Sequence, residues 1–427
     1  MQYVTEAERR TPVYDDVDVL VCGGGVAGAA AAICAARGGA RVLLLERYGY
    51  FGGLATGGLV ITVPPLDNGI CAEVRERLEI AHSYQVCPNA GEDDPAVEGL
   101  IALDPEILKQ ELSRMLQDAG VKLLLHSYVA ESITEDGAVR GVIIENKGGR
   151  SALLAKIVID ATGDGDVAAR AGAAFELDDE PLPITLMSNL IGVDAARAIE
   201  RIGHWGNLRA VVAEAVADGE LAFDLEIRSK NYAPGVFAAE LCYPGEVNLW
   251  SGSLFGVSGI DPDELTMAEI VTREHTMRLA AFLTRHVPGF EHARIEYTAA
   301  QIGVRGTRRI TGGESPSLRE VLDGRFADAV VKPYASRKMR LPYGSLVPDG
   351  VDDLLCVGRC ISAQPDAMVQ LRLIPVCFAT GQAAGTAAAM AAESGVSPAA
   401  VNVADLQGRL TRQGVALDLP KAVLGAS

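Results

Sequence analysis

A strand, a glycine-rich turn and a helix follow one another directly near the amino terminus. The apolar run at 17–21 predicts a strand, and Ala29–Arg37 has strong helix propensity. Between them, Gly23, Gly25 and Gly28 occupy the positions of a GxGxxG turn. In such a turn the glycines permit a tight bend, close approach of the backbone to a pyrophosphate, and close packing of helix on strand. The unit predicts an α/β fold that binds a dinucleotide.

A second strand completes this unit. The apolar run Arg41–Leu45 ends in Glu46, at the spacing expected of an acidic residue that accepts hydrogen bonds from a ribose. The next segment, 47–58, is rich in glycine. Because glycine has no Cβ, this composition indicates backbone lying against a flat ligand, larger than NAD.

The chain after this segment predicts one helix and several strands. Asp104 is a helix N-cap and Pro105 a favourable first helical residue, so we expect a helix that runs to Gly120. Strands are predicted at 121–125, 128–133, 138–145 and 157–160.

A second glycine turn, Ala161–Ala168, has GxGxxA spacing but lacks the rest of a dinucleotide unit. Gly172 ends the helix early, and the acidic run 178–181 stands where a second strand should be. We therefore predict one dinucleotide unit and no separate NAD(P)H domain.

Composition excludes some classes of function. The chain has 427 residues, 49% hydrophobic and 22% charged, with a formal net charge of -18. This is the composition of a packed globular protein. Because its field repels nucleic acids and anionic membrane surfaces, neither is expected as a partner.

The cysteines and the long apolar run bear on localisation. None of the eight cysteines has CxxC spacing, so we expect reduced thiols in a cytoplasmic protein, with Cys356 and Cys360 a coincidental pair. The eighteen uncharged residues Val19–Ala36 are interrupted by three successive glycines, so no membrane span is predicted. Acidic residues follow Arg9 and Arg10, which argues against an export signal.

Several segments, taken in order, resemble the FAD-dependent oxidoreductase family. They are 18–53, Ala161–Asp166, Gly303–Ile310, Leu354–Ser362 and Gly381–Gly385. The resemblance implies a Rossmann-like FAD-binding domain of the glutathione-reductase type, distantly related to the succinate dehydrogenase and fumarate reductase flavoproteins, with an inserted α+β substrate domain. The change in composition near Phe175 and Leu341 places the FAD-binding domain at 1–175 and 342–427 and the substrate domain at 176–341.

The resemblance also implies residues that contact FAD. Those in the first segment are Gly23, Gly25, Val26, Ala27, Gly28, Glu46, Arg47, Gly52, Gly53, Ala55 and Thr56. Those further along are Val129, Thr162, Gly163, Asp164, Gly358, Arg359 and Arg372. The alanine-rich helix near Thr380–Ala392 would direct its positive amino-terminal end at the flavin N1/C2 edge, where negative charge grows on reduction.

One departure from the family pattern concerns the catalytic base. Family members often carry an Asp-x-His element after a Phe-x-Asp element. This chain has Phe326-Ala327-Asp328, and no histidine follows at 331–337. The resemblance therefore supplies no base.

Residues 301–345 are basic within an acidic chain. This stretch has nine basic and four acidic residues, a net charge of +5 against -18 for the whole chain. Arg305 and Arg309, four residues apart, would share a face if the segment is helical, and Arg308 is three residues from Arg305. We predict that Arg305, Arg308 and Arg309, with Arg372 as a further donor, hold an anion, either a substrate carboxylate or the FAD phosphates. The alternative is ion pairing with nearby acids.

The six histidines show no metal-binding spacing, and no metal is predicted. His204, in a loop-like stretch beside Trp205, is the candidate histidine near a substrate. His275 and His286 are assigned to a helix at Leu265–Arg285, or to its end, as surface or core residues.

The leading hypothesis is an FAD-dependent oxidoreductase that transfers hydride between a small organic substrate, carboxylate-bearing if the arginines bind it, and flavin N5. One alternative is an FAD-dependent monooxygenase that uses an external reductant. Another is an electron-transfer flavoprotein subunit of a complex, which the lack of cluster-binding cysteines disfavours. The electron acceptor and a homodimeric state are left open.

Overall fold

The computed structural model describes residues 3–5, 7–89, 99–221 and 233–418. Its strands are β1 (Val13–Cys22), β2 (Val42–Leu45), β3 (Thr62–Val63), β4 (Tyr84–Val86), β5 (Ile101–Leu103), β6 (Lys122–Leu124), β7 (Tyr128–Glu135), β8 (Ala138–Asn146), β9 (Gly149–Asp160), β10 (Phe175–Leu177), β11 (Met187–Ile191), β12 (Ala233–Glu240), β13 (Val247–Ser253), β14 (Arg294–Thr298), β15 (Arg308–Ile310), β16 (Ala329–Val331), β17 (Leu341–Pro342) and β18 (Leu354–Cys356). Its helices are α1 (Val26–Arg37), α2 (Ile70–Ile80), α3 (Pro105–Asp118), α4 (Asp166–Arg170), α5 (Ala195–Ile202), α6 (Leu208–Ala217), α7 (Pro262–His286), α8 (Leu318–Asp323), α9 (Met368–Leu371), α10 (Ile374–Ser394) and α11 (Val403–Arg412).

A seven-stranded sheet lies at the centre of the molecule. Its parallel part has the order β6-β2-β1-β9-β18. β9 pairs with three strands: besides β1, its first half pairs antiparallel with β8, and its last residues pair parallel with β18. A parallel sheet extended by an antiparallel meander confirms the predicted α/β, Rossmann-like fold class.

The amino-terminal elements confirm their sequence predictions. Asp104 accepts hydrogen bonds from the N–H groups of Glu106 and Ile107, at 2.8 and 3.2 Å, and so caps α3 as expected. The strand predicted at 157–160 is only the end of β9, which begins at Gly149 because the hairpin turn leads directly into it.

Two helices rich in small residues pack on each other beside the sheet. A Cβ on Gly381 of α10 would lie 2.1 Å from the carbonyl oxygen of Ala27, and one on Gly385 would lie 2.1 Å from that of Ala31. Glycine at these two positions lets the backbone of α10 approach α1 closely. The carboxyl-terminal segment is thereby held against the amino-terminal dinucleotide unit.

The chain leaves the central sheet after β9 and returns to it at β18. In between, β12, β13, β11 and β14 form a four-stranded antiparallel sheet in that order, against which α7 packs. This sheet lies within the predicted insertion at 176–341, whose exact bounds stay a prediction. The smaller sheets are β3-β5-β4, β10-β15 and β16-β17.

The structure also bears on the segment after β9 and on the segment Arg305–Arg309. The rejection of a second dinucleotide unit is confirmed, because α4 has five residues and β10 pairs antiparallel with β15 instead of joining the central sheet. The segment Arg305–Arg309, whose conformation the sequence left open, is not helical, because Arg308–Ile310 is strand β15.

All eight cysteines are free, and hydrogen bonding with Cys360 together with burial raises the pKa of the Cys356 thiol. Such a thiol is a poor nucleophile, as expected of a packing residue.

Among the described residues, no helix is long and apolar enough to cross a membrane.

Candidate functional site

One cavity lies at the carboxyl ends of the parallel strands. The residues that directly follow β1, β2, β9 and β18 all line it: Gly23, Glu46, Ala161 and Val357. It contains about 910 Å³ of space, including its open mouth. Parallel α/β sheets bind ligands at this edge, because the loops and helix amino termini of successive units meet there.

The three glycines of the first turn have different surroundings. Gly23 has a φ of +108°, and a Cβ there would lie 2.4 Å from the carbonyl oxygen of Ala161. A Cβ on Gly28 would lie 1.8 Å from the carbonyl oxygen of Gly23. At Gly25, by contrast, a Cβ would meet no atom of the described residues within 4 Å. Gly23 and Gly28 therefore allow close packing, whereas Gly25 borders open space in the cavity wall.

Glu46 is held in place by the backbone around it. Its carboxylate accepts hydrogen bonds from the N–H groups of Gly24, at 2.6 Å, and Tyr48, at 2.9 Å. Burial raises the pKa of this carboxyl, and the two N–H groups oppose that rise by favouring the charged form. Each oxygen keeps a lone pair for a further donor.

Stacked side chains form the wall beside Glu46. The guanidinium of Arg47 lies 4.8 Å from the ring centroid of Tyr48, and Tyr48 stacks on Tyr50 at 5.4 Å with an interplanar angle of 2°. Arg47 and Tyr48 line the cavity, and Val129 at the start of β7 does so too. This end of the cavity offers a flat, partly cationic surface.

The loop after β9 is organised by a buried carboxylate. Asp160, fully buried, accepts hydrogen bonds from the N–H groups of Thr162 and Ala168 and from the Thr162 hydroxyl. Asp164 forms an ion pair with Arg359, at 3.1 Å. Arg359 lines the cavity, whereas Asp164 does not. Asp164 therefore influences the cavity only through its ion pair with the Arg359 side chain.

Two residues of the basic segment are engaged by acids. Arg309 of β15 lies opposite Glu176 of β10 and pairs with it at 3.1 Å and with Asp178 at 2.7 Å. Arg308 pairs with Asp166 at 3.0 Å. For these two arginines the structure favours the ion-pair alternative.

Arg305 and Arg372 have a different environment. The guanidinium of Arg305 donates to the carbonyl oxygen of Pro183 at 2.8 Å, and no carboxylate is paired with it among the described residues. Arg372 lines the cavity, and its buried Nε has no hydrogen-bond partner within the described part of the chain. Burial lowers the pKa of each guanidinium to about 10, and repulsion by Arg372 adds to the effect on Arg305.

The structure brings most of the predicted cofactor residues to this cavity. Those that line it are Gly23, Gly25, Val26, Ala27, Glu46, Arg47, Gly52, Gly53, Val129, Thr162, Gly163, Gly358, Arg359 and Arg372. The other predicted residues are outside its lining: Gly28, Ala55, Thr56, Asp164, Arg305, Arg309 and His204. Thr56 is fully buried and donates to the carbonyl oxygen of Phe51, and His204 precedes a short 3-10 helix in the insertion.

Sequence reasoning missed several lining residues. Most of them adjoin predicted ones and follow a parallel strand or lie in the next loop, namely Leu45, Tyr48, Leu54, Ser127, Tyr128, Ala161, Asp166, Val357, Ile374 and Cys377. The sequence feature that could have identified these residues is their position next to the end of a predicted strand. Gln301 also lines the cavity, and nothing in its local sequence indicates this.

A parallel sheet with a glycine turn, a ribose-spaced acid and a cavity at the strand ends defines a dinucleotide-binding α/β protein. A sequence profile described as FAD dependent oxidoreductase matches residues 18–334 and 331–410. The chain belongs to this family. The open space beside Gly25 fits a bound FAD.

Individual relatives resemble parts of the chain. Thiamine thiazole synthase of Methanococcus aeolicus is 37% identical over 35% of this chain and 55% of its own length. Digeranylgeranylglycerophospholipid reductase of Methanoculleus marisnigri is 31% identical over 37% of this chain and 42% of its own length. The match thus spans about half of these curated relatives.

A solved structure extends the similarity of fold over nearly the whole chain. A geranylgeranyl bacteriochlorophyll reductase-like protein of Thermoplasma acidophilum superposes with a TM-score of 0.53 and 17% identity. The superposition covers 93% of this chain and 83% of that protein. At this identity the similarity is one of fold.

Proposed function

We propose that this enzyme transfers hydride between a small carboxylate-bearing substrate and FAD held in the cavity. The observation that carries the proposal is Arg372, a cavity-lining guanidinium whose buried Nε has no partner among the described residues. A planar guanidinium with unused donors matches a carboxylate. Arg359 also lines the cavity and adds positive charge there, which strengthens the attraction for an anion.

The FAD-holding residues of the proposal follow the parallel strands. The backbone N–H groups at Gly25–Ala27, where α1 begins, would bind the pyrophosphate. The carboxylate of Glu46 would accept hydrogen bonds from ribose hydroxyls. Bound FAD supplies a ring that accepts or donates hydride, which no side chain does.

The remaining lining residues orient and shield the substrate. Arg372 would hold the carboxylate, which directs the rest of the substrate into the cavity. Ile374, the first residue of α10, also lines the cavity, so the positive end of the helix dipole faces it and stabilises negative charge there. The backbone at Gly52 and Gly53 closes another side.

The type of reaction is tested by anaerobic mixing. Purified enzyme is mixed with a panel of small carboxylates while the visible absorbance of the flavin is followed. Loss of absorbance with a carboxylate alone supports hydride transfer from substrate. Loss only on adding NAD(P)H, with no anaerobic reoxidation of the reduced flavin by any carboxylate, indicates the monooxygenase alternative and contradicts the proposal.

The role of Arg372 is tested by Arg372→Gln, which keeps hydrogen-bonding atoms but removes the charge. Losing a charged hydrogen-bond donor costs about 1.5 to 3 kcal/mol, so we expect carboxylate affinity to fall about ten- to a hundredfold. Affinity is measured from the change in flavin absorbance on titration. The control is Arg319→Gln, at an exposed site, which should leave the affinity unchanged. Equal affinities for all three proteins would refute the carboxylate site.

A further inference from the structure

Gln301 reaches the cavity from the inserted sheet. It lies three residues after the end of β14, and its N–H donates to the carbonyl oxygen of Gly57 at 3.1 Å. Two residues further on, Gly303 exchanges both backbone hydrogen bonds with Thr185, at 2.9 and 3.1 Å. The backbone is therefore held on both sides of Gln301, and its side chain projects from a fixed position.

The amide oxygen of Gln301 is unsatisfied. Oε1 is buried and has no hydrogen-bond partner in the described part of the chain, although the residue lines the cavity. Leaving a buried carbonyl oxygen without a donor costs about 1 to 3 kcal/mol. A ligand that brings a donor to this atom recovers that energy.

Gln301 and Arg372 border the same cavity but differ in what they accept. Arg372 offers donors and positive charge, whereas Oε1 of Gln301 offers an acceptor. A ligand that satisfies both must combine an anionic acceptor with a separate donor. Simple fatty acids and benzoate lack that donor.

We propose that Gln301 is a specificity residue that selects carboxylates carrying a hydroxyl or amino group. The substrate class is then hydroxy acids or amino acids, whose O–H or N–H donates to Oε1. The inference rests on the proposed function, because it assumes that the carboxylate binds at Arg372. Sites that hydrogen-bond a substrate donor discriminate against analogues without it, since their own polar atom is then left unpaired.

The experiment compares matched ligands that differ in the donor, and lactate and meta-hydroxybenzoate keep the charge of their parents, whereas alanine also adds a positive charge. One series is propanoate, lactate and alanine, and the other is benzoate, meta-hydroxybenzoate and meta-aminobenzoate. Dissociation constants come from flavin absorbance changes, or from the concentration dependence of reduction where a compound bleaches the flavin. We expect the preferred donor-bearing member of a series to bind about five- to tenfold more tightly than its parent, the effect of one hydrogen bond.

Gln301→Met keeps the length of the side chain and removes the acceptor, so it should abolish this preference while the parent carboxylate binds as before. FAD content and the visible spectrum should not change. The matched control is Tyr334→Phe, because the Tyr334 hydroxyl is also buried without a partner in the described residues but lies outside the cavity lining. That variant should keep the preference.

Distinct outcomes separate this inference from the proposed function. If parents and donor-bearing ligands bind equally to the wild type, or if Gln301→Met lowers FAD affinity in place of donor preference, the specificity role is overturned while the carboxylate site stands. If no carboxylate binds to FAD-loaded enzyme, both are overturned. The hydroxy and amino members distinguish the two kinds of donor.

Discussion

The two sides of the cavity are built in different ways. On one side, Gly23, Glu46 and Val357 each follow directly after a parallel strand. On the other side, Gln301 comes from the inserted antiparallel sheet and Arg372 from the turn between α9 and α10. The strand-end side has the features common to dinucleotide-binding folds, whereas the other side has polar atoms without partners among the described residues. Under the proposed function, cofactor binding and substrate selection therefore belong to separate parts of the chain.

Neighbouring arginines show the same contrast over a short distance. Arg305 and Arg309 are four residues apart, yet Arg309 is paired with Glu176 and Asp178, and Arg305 contacts a carbonyl oxygen and is repelled by another arginine. We therefore expect substitutions on the strand-end side to affect FAD, those near Arg372 to affect substrate, and those at Arg309 to affect stability.

The largest effect is expected for Gly25→Leu. The position has no backbone strain, and the new side chain would enter open space in the cavity without touching the described residues near its Cβ. We expect FAD affinity to fall at least about a thousandfold, about 4 kcal/mol, while the apoprotein keeps its melting temperature. Titration of apoprotein with FAD measures the first quantity, and calorimetry the second. Unchanged FAD affinity would contradict the assignment of the strand-end side to the cofactor site.

Arg309→Met should destabilise the protein without changing its chemistry. Arg309 is 5% exposed, and its loss leaves Asp178 without its partner inside the protein. Because Asp178 is 20% exposed and regains part of its hydration, we expect a loss of about 1 to 3 kcal/mol, which a denaturant titration measures. The value of kcat/KM for an anionic substrate should stay the same at a temperature where both proteins are folded. A drop in kcat/KM with unchanged stability would instead support the original expectation that Arg309 binds the anionic substrate.

Glu46→Ala is expected to weaken FAD binding by about 1 to 3 kcal/mol, the cost of a lost charged hydrogen-bond partner. Because Glu46 also accepts from Gly24 and Tyr48, part of the loss arises from the loosened turn. Glu46→Gln keeps one oxygen acceptor and should lose less. Isothermal titration of the apoproteins compares the two variants, and equal FAD affinity in both and in the wild type would contradict the ribose role.

Most of the FAD side could be predicted because its requirements are local. A strand ending before Gly23, an acid after β2 and a capped α3 each follow from a few adjacent residues. Tyr48 was missed because aromatic stacking has no sequence signature of its own. Gln301 was missed because its neighbours in space, such as Gly57, lie far away in the chain.

The sequence by itself determined the α/β class, the dinucleotide turn and the family. The glycines of the turn, the apolar runs of the strands and the helix caps each act between residues that are near neighbours in the chain. Only the tertiary structure decided which arginines are free to bind an anion. The pairing of β15 with β10 places Glu176 opposite Arg309, whereas Arg305 lies in a connection that approaches Arg372 from another part of the chain. Charge neutralisation depends on atoms within a few ångströms, and strand register with long-range packing sets those distances.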